Sequence, residues 1–191
     1  IKIQPLDLAD LGQKRNGLSA VESTGFKCYP AVYDAQGPIG TIIQLRKEID
    51  LEEIENITIE MHLSGWHRIG GGQGDKKEKW NPKTRETADH SLPYLIALAL
   101  VDGEITLESF TDEKISDPQL RPIMQKINVI ESEEMTNEHI GELPNWPSIT
   151  EIVLKNGKRI SRHSGIPKGH PLNPLKDIEL EKKFMNLSCR N

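Results

Sequence analysis

Asn56-Ile57-Thr58-Ile59-Glu60-Met61-His62-Leu63-Ser64 alternates apolar and polar side chains. Ile57, Ile59, Met61 and Leu63 fall on one side, Thr58, Glu60 and His62 on the other. That period-two pattern predicts a strand with one buried face. Working outward, Ser148 to His163 reads as a hairpin: Ile149, Ile152 and Leu154 lead into Asn156-Gly157, then Arg159-Ile160-Ser161. Asn-Gly between two such runs is a strong hairpin signal. Asn128 to Glu133 predicts a further short strand, and Ile1-Lys2-Ile3 another.

Helical patterns lie between them. Pro38 sits in a first turn followed by Ile39, Ile42, Ile43 and Leu45 at near-helical spacing, and the acidic run at Asp50–Glu55 closes that helix. Leu92–Val101 predicts a helix ended by the turn Asp102-Gly103. Thr106–Phe110 reads as a short helix. Asp117-Pro118 opens another, with Leu120, Ile123, Met124 and Ile127 on its apolar stripe. Asp177–Leu187 reads as a final helix, and Gly65–Lys79 and Gly165–Pro174 as loops. Helices and strands are intermixed without an internal repeat, and the strands are mostly hairpin-linked. The fold class is α+β.

The 191 residues suffice for one generous domain, or a domain plus a fragment. With 36% hydrophobic and 28% charged residues, the composition is that of a soluble chain with a core. The net charge of -5 argues against a nucleic-acid partner, which needs a basic face. It leaves a small anion possible, because a local cation cluster can dominate a pocket. Cys28 and Cys189 form no C-x-x-C pair and read as reduced thiols. No apolar run reaches membrane length and no secretory signal is visible, so the expected compartment is the cytoplasm, or the mitochondrial matrix in a eukaryote. The chain opens on Ile1-Lys2-Ile3 without a methionine, which suggests a domain cut from a longer polypeptide.

Gly70-Gly71-Gly72-Gln73-Gly74 matches neither a dinucleotide fingerprint nor a P-loop. It reads as a flexible loop able to gate a site. His62 and His67 lack zinc-ligand spacing, so no metal and no organic cofactor is expected.

The chemistry concentrates in Lys79-Trp80-Asn81-Pro82-Lys83-Thr84-Arg85-Glu86-Thr87-Ala88-Asp89-His90-Ser91-Leu92-Pro93-Tyr94. This run of cations, carboxylates, a histidine and a tyrosine passes straight into the apolar Leu95–Leu100. Arg85 is the best carboxylate clamp, since its planar fork can hold both oxygens. The alternative is a surface pair with Asp89, four residues on. His90 titrates near neutral pH and can donate or accept. If Ser91 caps the helix, His90 stands just outside its positive end, where anions bind favourably. Tyr94 is either a donor on the same side or a core tyrosine. Glu86 and Asp89 can orient the histidine or arginine, or simply be solvated. Lys27, between Phe26 and Tyr29, is either an ammonium at a pocket mouth or a snorkelling lysine. Lys168 and His170 lie in a proline-glycine loop, a position suited to binding.

Three stretches together resemble the MmgE/PrpD family, the 2-methylcitrate dehydratases and their relatives. They are Phe26–Gln36, Lys79–Gly103, and Lys168-Gly169-His170-Pro171-Leu172-Asn173-Pro174 followed by Glu179–Phe184. The second is the specific one. The resemblance implies a small α+β lid domain, similar to a chorismate-mutase-like fold, over 1–165. Residues 166–191 would then be a proline-rich loop and helix returning toward a helical domain that has no counterpart here.

The resemblance also implies a hydro-lyase of propionate breakdown, acting on a small polycarboxylate without metal or cofactor, as a homodimer that includes the helical domain. Under it His90, Tyr94 and Lys27 are catalytic candidates, and Arg85, Glu86, Asp89, Lys168 and His170 are substrate-binding ones. The chain departs from the pattern at Asp34, where many relatives have histidine, and at Val32, where many have glutamate. A cis-aconitate decarboxylase or isomerase, or a non-catalytic binding or oligomerisation module, are the alternatives.

Overall fold

A computed structural model of the chain describes residues 19, 21, 24–140 and 145–188. The expected strand at Ile1–Ile3, and Cys189, lie outside them. The elements in order are α1 (Gln36–Leu45), β1 (Ile54–Met61), α2 (Leu63–Ile69), α3 (Lys76–Lys79), α4 (Arg85–Ala88), α5 (Leu92–Val101), α6 (Asp112–Ile115), α7 (Leu120–Gln125), β2 (Ile127–Glu131), α8 (Glu133–His139), β3 (Ser148–Leu154), β4 (Arg159–Ser164) and α9 (Asp177–Ser188). The chain divides into two compact units, one of Lys27–Lys168 and one to which Phe26 and the chain from Gly169 onward belong.

The larger unit is α+β. Its sheet has the order β2-β1-β3-β4. β1 pairs with β3, and β3 with β4, in antiparallel fashion. The β3–β4 hairpin turns at Gly157, whose φ of 81° suits glycine. The expectation of a hairpin-linked sheet needs one correction: β1 and β2 are parallel neighbours, with Ile57 opposite Ile127 and Ile59 opposite Val129. Parallel strands need a long crossover, and here it is the whole helical region from α2 to α7. The register aligns Ile160, Ile152, Ile57 and Ile127 in one buried row across the four strands.

α5 anchors the core. Ser91 Oγ accepts from the Tyr94 amide at its start. Arg46 donates to the Leu100 carbonyl (2.9 Å) and the Val101 carbonyl (3.3 Å) at its end. Gly103, with φ 78°, turns the chain away. Every residue from Leu92 to Leu100 is buried. A helix that is apolar all round must be covered all round, and α5 packs against α1, α7 and β2. Each buried leucine or isoleucine contributes roughly 1.5–3 kcal/mol, so this helix is the main apolar anchor of the unit.

Gly65–Lys79, expected as loop, instead contains α2 and α3. His62 causes the difference. β1 stops at Met61, and the His62 ring accepts from the Gly65 amide as the helix cap. Leu63, expected on the buried strand face, is therefore an exposed first helical residue. Ile127, expected on the α7 stripe, opens β2. Glu133, expected to end the strand, starts α8 behind the cap Ser132.

Candidate functional site

The Lys79–Tyr94 run begins pinned to the core. Lys79 is buried and pairs with Asp75 (3.3 Å), its carbonyl accepts from the Ser91 hydroxyl, and Trp80 Nε1 donates to the Ile127 carbonyl (3.2 Å). Thr84 and Thr87 cap each other at the start of α4. Arg85 follows on the exposed first helical position. Its guanidinium has no hydrogen bond or ion pair among the described residues, so the surface pair with Asp89 is not formed. Glu86 beside it is exposed.

Asp89 turns instead to its neighbour. Its carboxylate lies 2.5 Å from Nδ1 of His90, whose side chain is 48% exposed. An ionised carboxylate only accepts, so the proton of this bond sits on Nδ1 and Nε2 faces outward. Ser91 does cap α5, which puts His90 just before the helix. The helix end itself is buried: Ser91 and Leu92 are inaccessible and Pro93 has no amide proton. An anion there has no amides to reach, which corrects the expected role of the helix terminus.

Tyr94 needs the plainest correction. It is fully buried, and its hydroxyl donates to the Ser109 carbonyl (2.5 Å). Burial raises its pKa above the ordinary tyrosine range. It is the core tyrosine of the two readings, held inside because α5 is buried on all sides.

Lys27 is exposed. Beside it, Cys28 Sγ donates to the Lys168 carbonyl (3.2 Å). Three residues past Tyr29, the Val32 amide donates to the Asp89 carbonyl (3.2 Å). Gln36 folds back, accepting from the Tyr29 amide (3.0 Å) and donating to its carbonyl (3.1 Å). Burial pushes Tyr29 up to about 12, with the nearby Cys28 thiol adding to it. The Lys27–Gln36 stretch thus bonds to the Lys168 carbonyl through the Cys28 thiol and to the Asp89 carbonyl through the Val32 amide. His170 belongs to the other compact unit. There its Nδ1 accepts from the Leu172 amide (3.1 Å), and burial lowers its pKa.

A second polar cluster escaped the sequence reading. Asp34, 3% exposed, accepts two bonds from the Arg68 fork, 3.1 Å at Nε and 2.8 Å at Nη2. His62 Nε2 lies 3.4 Å from the same carboxylate. The His62 ring stacks on His139 with centroids 3.9 Å apart. Burial first, and His139 second, lower the His62 pKa to about 4. The Ser64 hydroxyl lies 2.9 Å from His62 Nδ1, so acid, imidazole and hydroxyl stand in line. They do not make an activated nucleophile. Nδ1 already accepts from the Gly65 amide (3.2 Å), and a ring with so low a proton affinity is a weak base. The cap spacing of His62 and Gly65 was readable. The Asp34–Arg68 pair spans 34 positions and leaves no local signal.

A hollow of about 180 Å³ lies elsewhere, lined by Asp102, Glu104, Thr106, Glu108, Ser109 and Lys114. Its carboxylates outnumber its one cation, the wrong sign for a polycarboxylate. Among the described residues no group of three or more His, Cys, Asp or Glu is placed to hold a metal ion. No helix among them is long and apolar enough to cross a membrane.

Residues 29–190 match the model of the MmgE/PrpD C-terminal domain. The chain is 26% identical over 177 residues to 2-methylcitrate dehydratase of Escherichia coli (strain K12), covering 82% of this chain and 35% of that protein. It is 26% identical over 152 residues to the mitochondrial 2-methylcitrate dehydratase of Yarrowia lipolytica, covering 76% and 28%. It is also similar to cis-aconitate decarboxylase of Mus musculus, 30% identical over 109 residues, covering 54% and 20%. The chain spans between a fifth and about a third of the length of these relatives.

Proposed function

The chain belongs to the MmgE/PrpD family, and from that premise we propose that it is the C-terminal domain of a hydro-lyase that removes water from a hydroxy-tricarboxylate of the 2-methylcitrate type. Such a reaction needs cations on the carboxylates, a base for a weakly acidic C–H, and an acid for the departing hydroxyl. Fixed positive charge next to the developing carbanion lowers the barrier most. In this reading Arg85 and Lys27 hold carboxylates, helped by Lys168. His90, oriented by Asp89, supplies or accepts a proton through Nε2. Glu86 lies beside the arginine. Tyr94 supports α5 from inside. The substrate cleft is completed by the helical part of the full-length enzyme, which acts as a homodimer in the cytoplasm or mitochondrial matrix.

One observation carries the reading: within Lys27–Gln36 the Val32 amide bonds to the Asp89 carbonyl, and the Cys28 thiol to the Lys168 carbonyl. Stretches far apart in sequence and rich in cations are thereby tied to one segment. Arg85 has no competing partner among the described residues.

The decarboxylase reading has its own support in the higher identity to the mouse protein, though over a shorter stretch. The full-length protein, assayed for water loss from 2-methylcitrate and citrate and for carbon dioxide release from cis-aconitate, separates the two. Turnover of citrates supports the dehydratase, and carbon dioxide release the decarboxylase. Neither activity, in a folded full-length protein, sinks both readings in favour of a non-catalytic module.

A further inference from the structure

The segment from Tyr29 to Gln36 is held in two ways. Gln36 fixes its backbone locally, through the Tyr29 amide and carbonyl. Asp34 fixes it to a different element. Its carboxylate is buried and is gripped by Arg68, which lies within α2, while the ring of His62, the cap of that helix, stands beside it. The tautomer of His62 follows from its bonds. Nδ1 accepts from the Gly65 amide, so the ring proton sits on Nε2, which lies 3.4 Å from the Asp34 carboxylate without a hydrogen bond to it.

A forked pair fixes direction as well as distance. It contributes little net stability when buried, because desolvation offsets the attraction, but removing one partner strands a charge. Such a pair therefore specifies geometry more than it stabilises. The residues on either side of Asp34 show which geometry. Val32, two positions before it, holds the Asp89 carbonyl, and Lys27 stands two positions before the segment starts.

We propose that Asp34 is a positioning residue whose forked pair with Arg68 sets the Tyr29–Gln36 segment on α2, and thereby places Lys27 and the Asp89-His90 pair for the anion. The inference rests on the reading of Lys27, Arg85 and His90 as substrate contacts.

The test uses the full-length protein with Asp34→Asn, Arg68→Gln, the double variant and Arg68→Lys. Steady-state kinetics are read on the best tricarboxylate, and hydrogen exchange is read at the Ala31 and Val32 amides. Each single variant should raise KM about tenfold or more and lower kcat as well, because a displaced segment weakens binding and misplaces His90. The double variant should be no worse than either single one, since no charge is left stranded. Arg68→Lys keeps the charge but loses the fork, and should leave KM raised. Exchange at Val32 should quicken while amides within α5 stay protected. Loss of thermal stability with KM unchanged, or a double variant with fully additive effects, overturns the proposal. If the wild type turns over no tricarboxylate, the functional reading fails separately. Exchange still decides: unaltered protection of Ala31 and Val32 in Asp34→Asn rejects the positioning role.

Discussion

The carboxylate of Asp89 accepts from Nδ1 of His90 at 2.5 Å, which fixes the imidazole with Nε2 outward. Adjacent residues rarely face each other in a regular element. They do so here because Asp89 ends α4 and Ser91 opens the cap of α5, leaving His90 on the corner between them. A half-exposed imidazole with one nitrogen held is suited to moving a proton at the other.

His90→Ala should therefore lower kcat of the full-length enzyme by about 10²–10⁴-fold, the usual share of a general acid or base. Asp89→Asn should lower it less, since an amide can still accept from Nδ1 but no longer favours the charged ring. Steady-state kinetics on 2-methylcitrate check both. Unchanged turnover in His90→Ala removes the assignment.

Arg85→Ala should raise KM for the tricarboxylate by about tenfold or more, as a charged hydrogen bond of roughly 1.5–3 kcal/mol is lost. The side chain is exposed, so the midpoint of urea unfolding should move by no more than about 0.5 kcal/mol in equivalent stability. Arg85→Lys should restore only part of the affinity, because it lacks the fork. A fall in stability with KM intact would make Arg85 a structural residue.

Tyr94→Phe strands the Ser109 carbonyl in the core. Leaving a buried acceptor unsatisfied costs about 1–3 kcal/mol, to be seen in denaturant unfolding. The folded fraction should keep its kcat and KM. Loss of kcat at full stability would return Tyr94 to the reacting groups.

His62 gives the fold an acid limit. Burial holds its folded proton affinity down at about 4, against an ordinary 6.5. Between those values the unfolded chain takes up a proton that the folded one refuses. The stabilisation is present above about pH 6.5 and is lost as pH falls toward 4, on the order of 3 kcal/mol in all. Unfolding free energies measured from pH 7 to 4 should show this decline. His62→Asn keeps a capping acceptor and should flatten it; an unchanged slope in that variant contradicts the role of His62.

Much of this was legible in local chemistry. The Leu92–Val101 helix was marked by an N-cap serine, a proline in the first turn and a closing glycine, all acting within a few residues. The β3–β4 hairpin was written in Asn156-Gly157. The α1 stripe and the final helix were likewise local. The start of α2 was missed because His62 continues the strand alternation in sequence while its ring caps the next helix in space. The pairing of Asp89 with His90 followed from their nearness along the chain. The inward turn of Tyr94 did not, because it depends on what surrounds α5.

The sequence alone determined the α+β class and the charged run before α5, because periodicity, caps and turn residues act over a few positions. Only the tertiary structure decided that β2 lies parallel to β1, that Asp34 is gripped by Arg68, and that Val32 and Cys28 draw Asp89 and Lys168 to one segment. Those contacts join residues tens of positions apart. They arise from burying the row of Ile57, Ile127, Ile152 and Ile160 beneath the helices, a packing that no short stretch of the chain specifies.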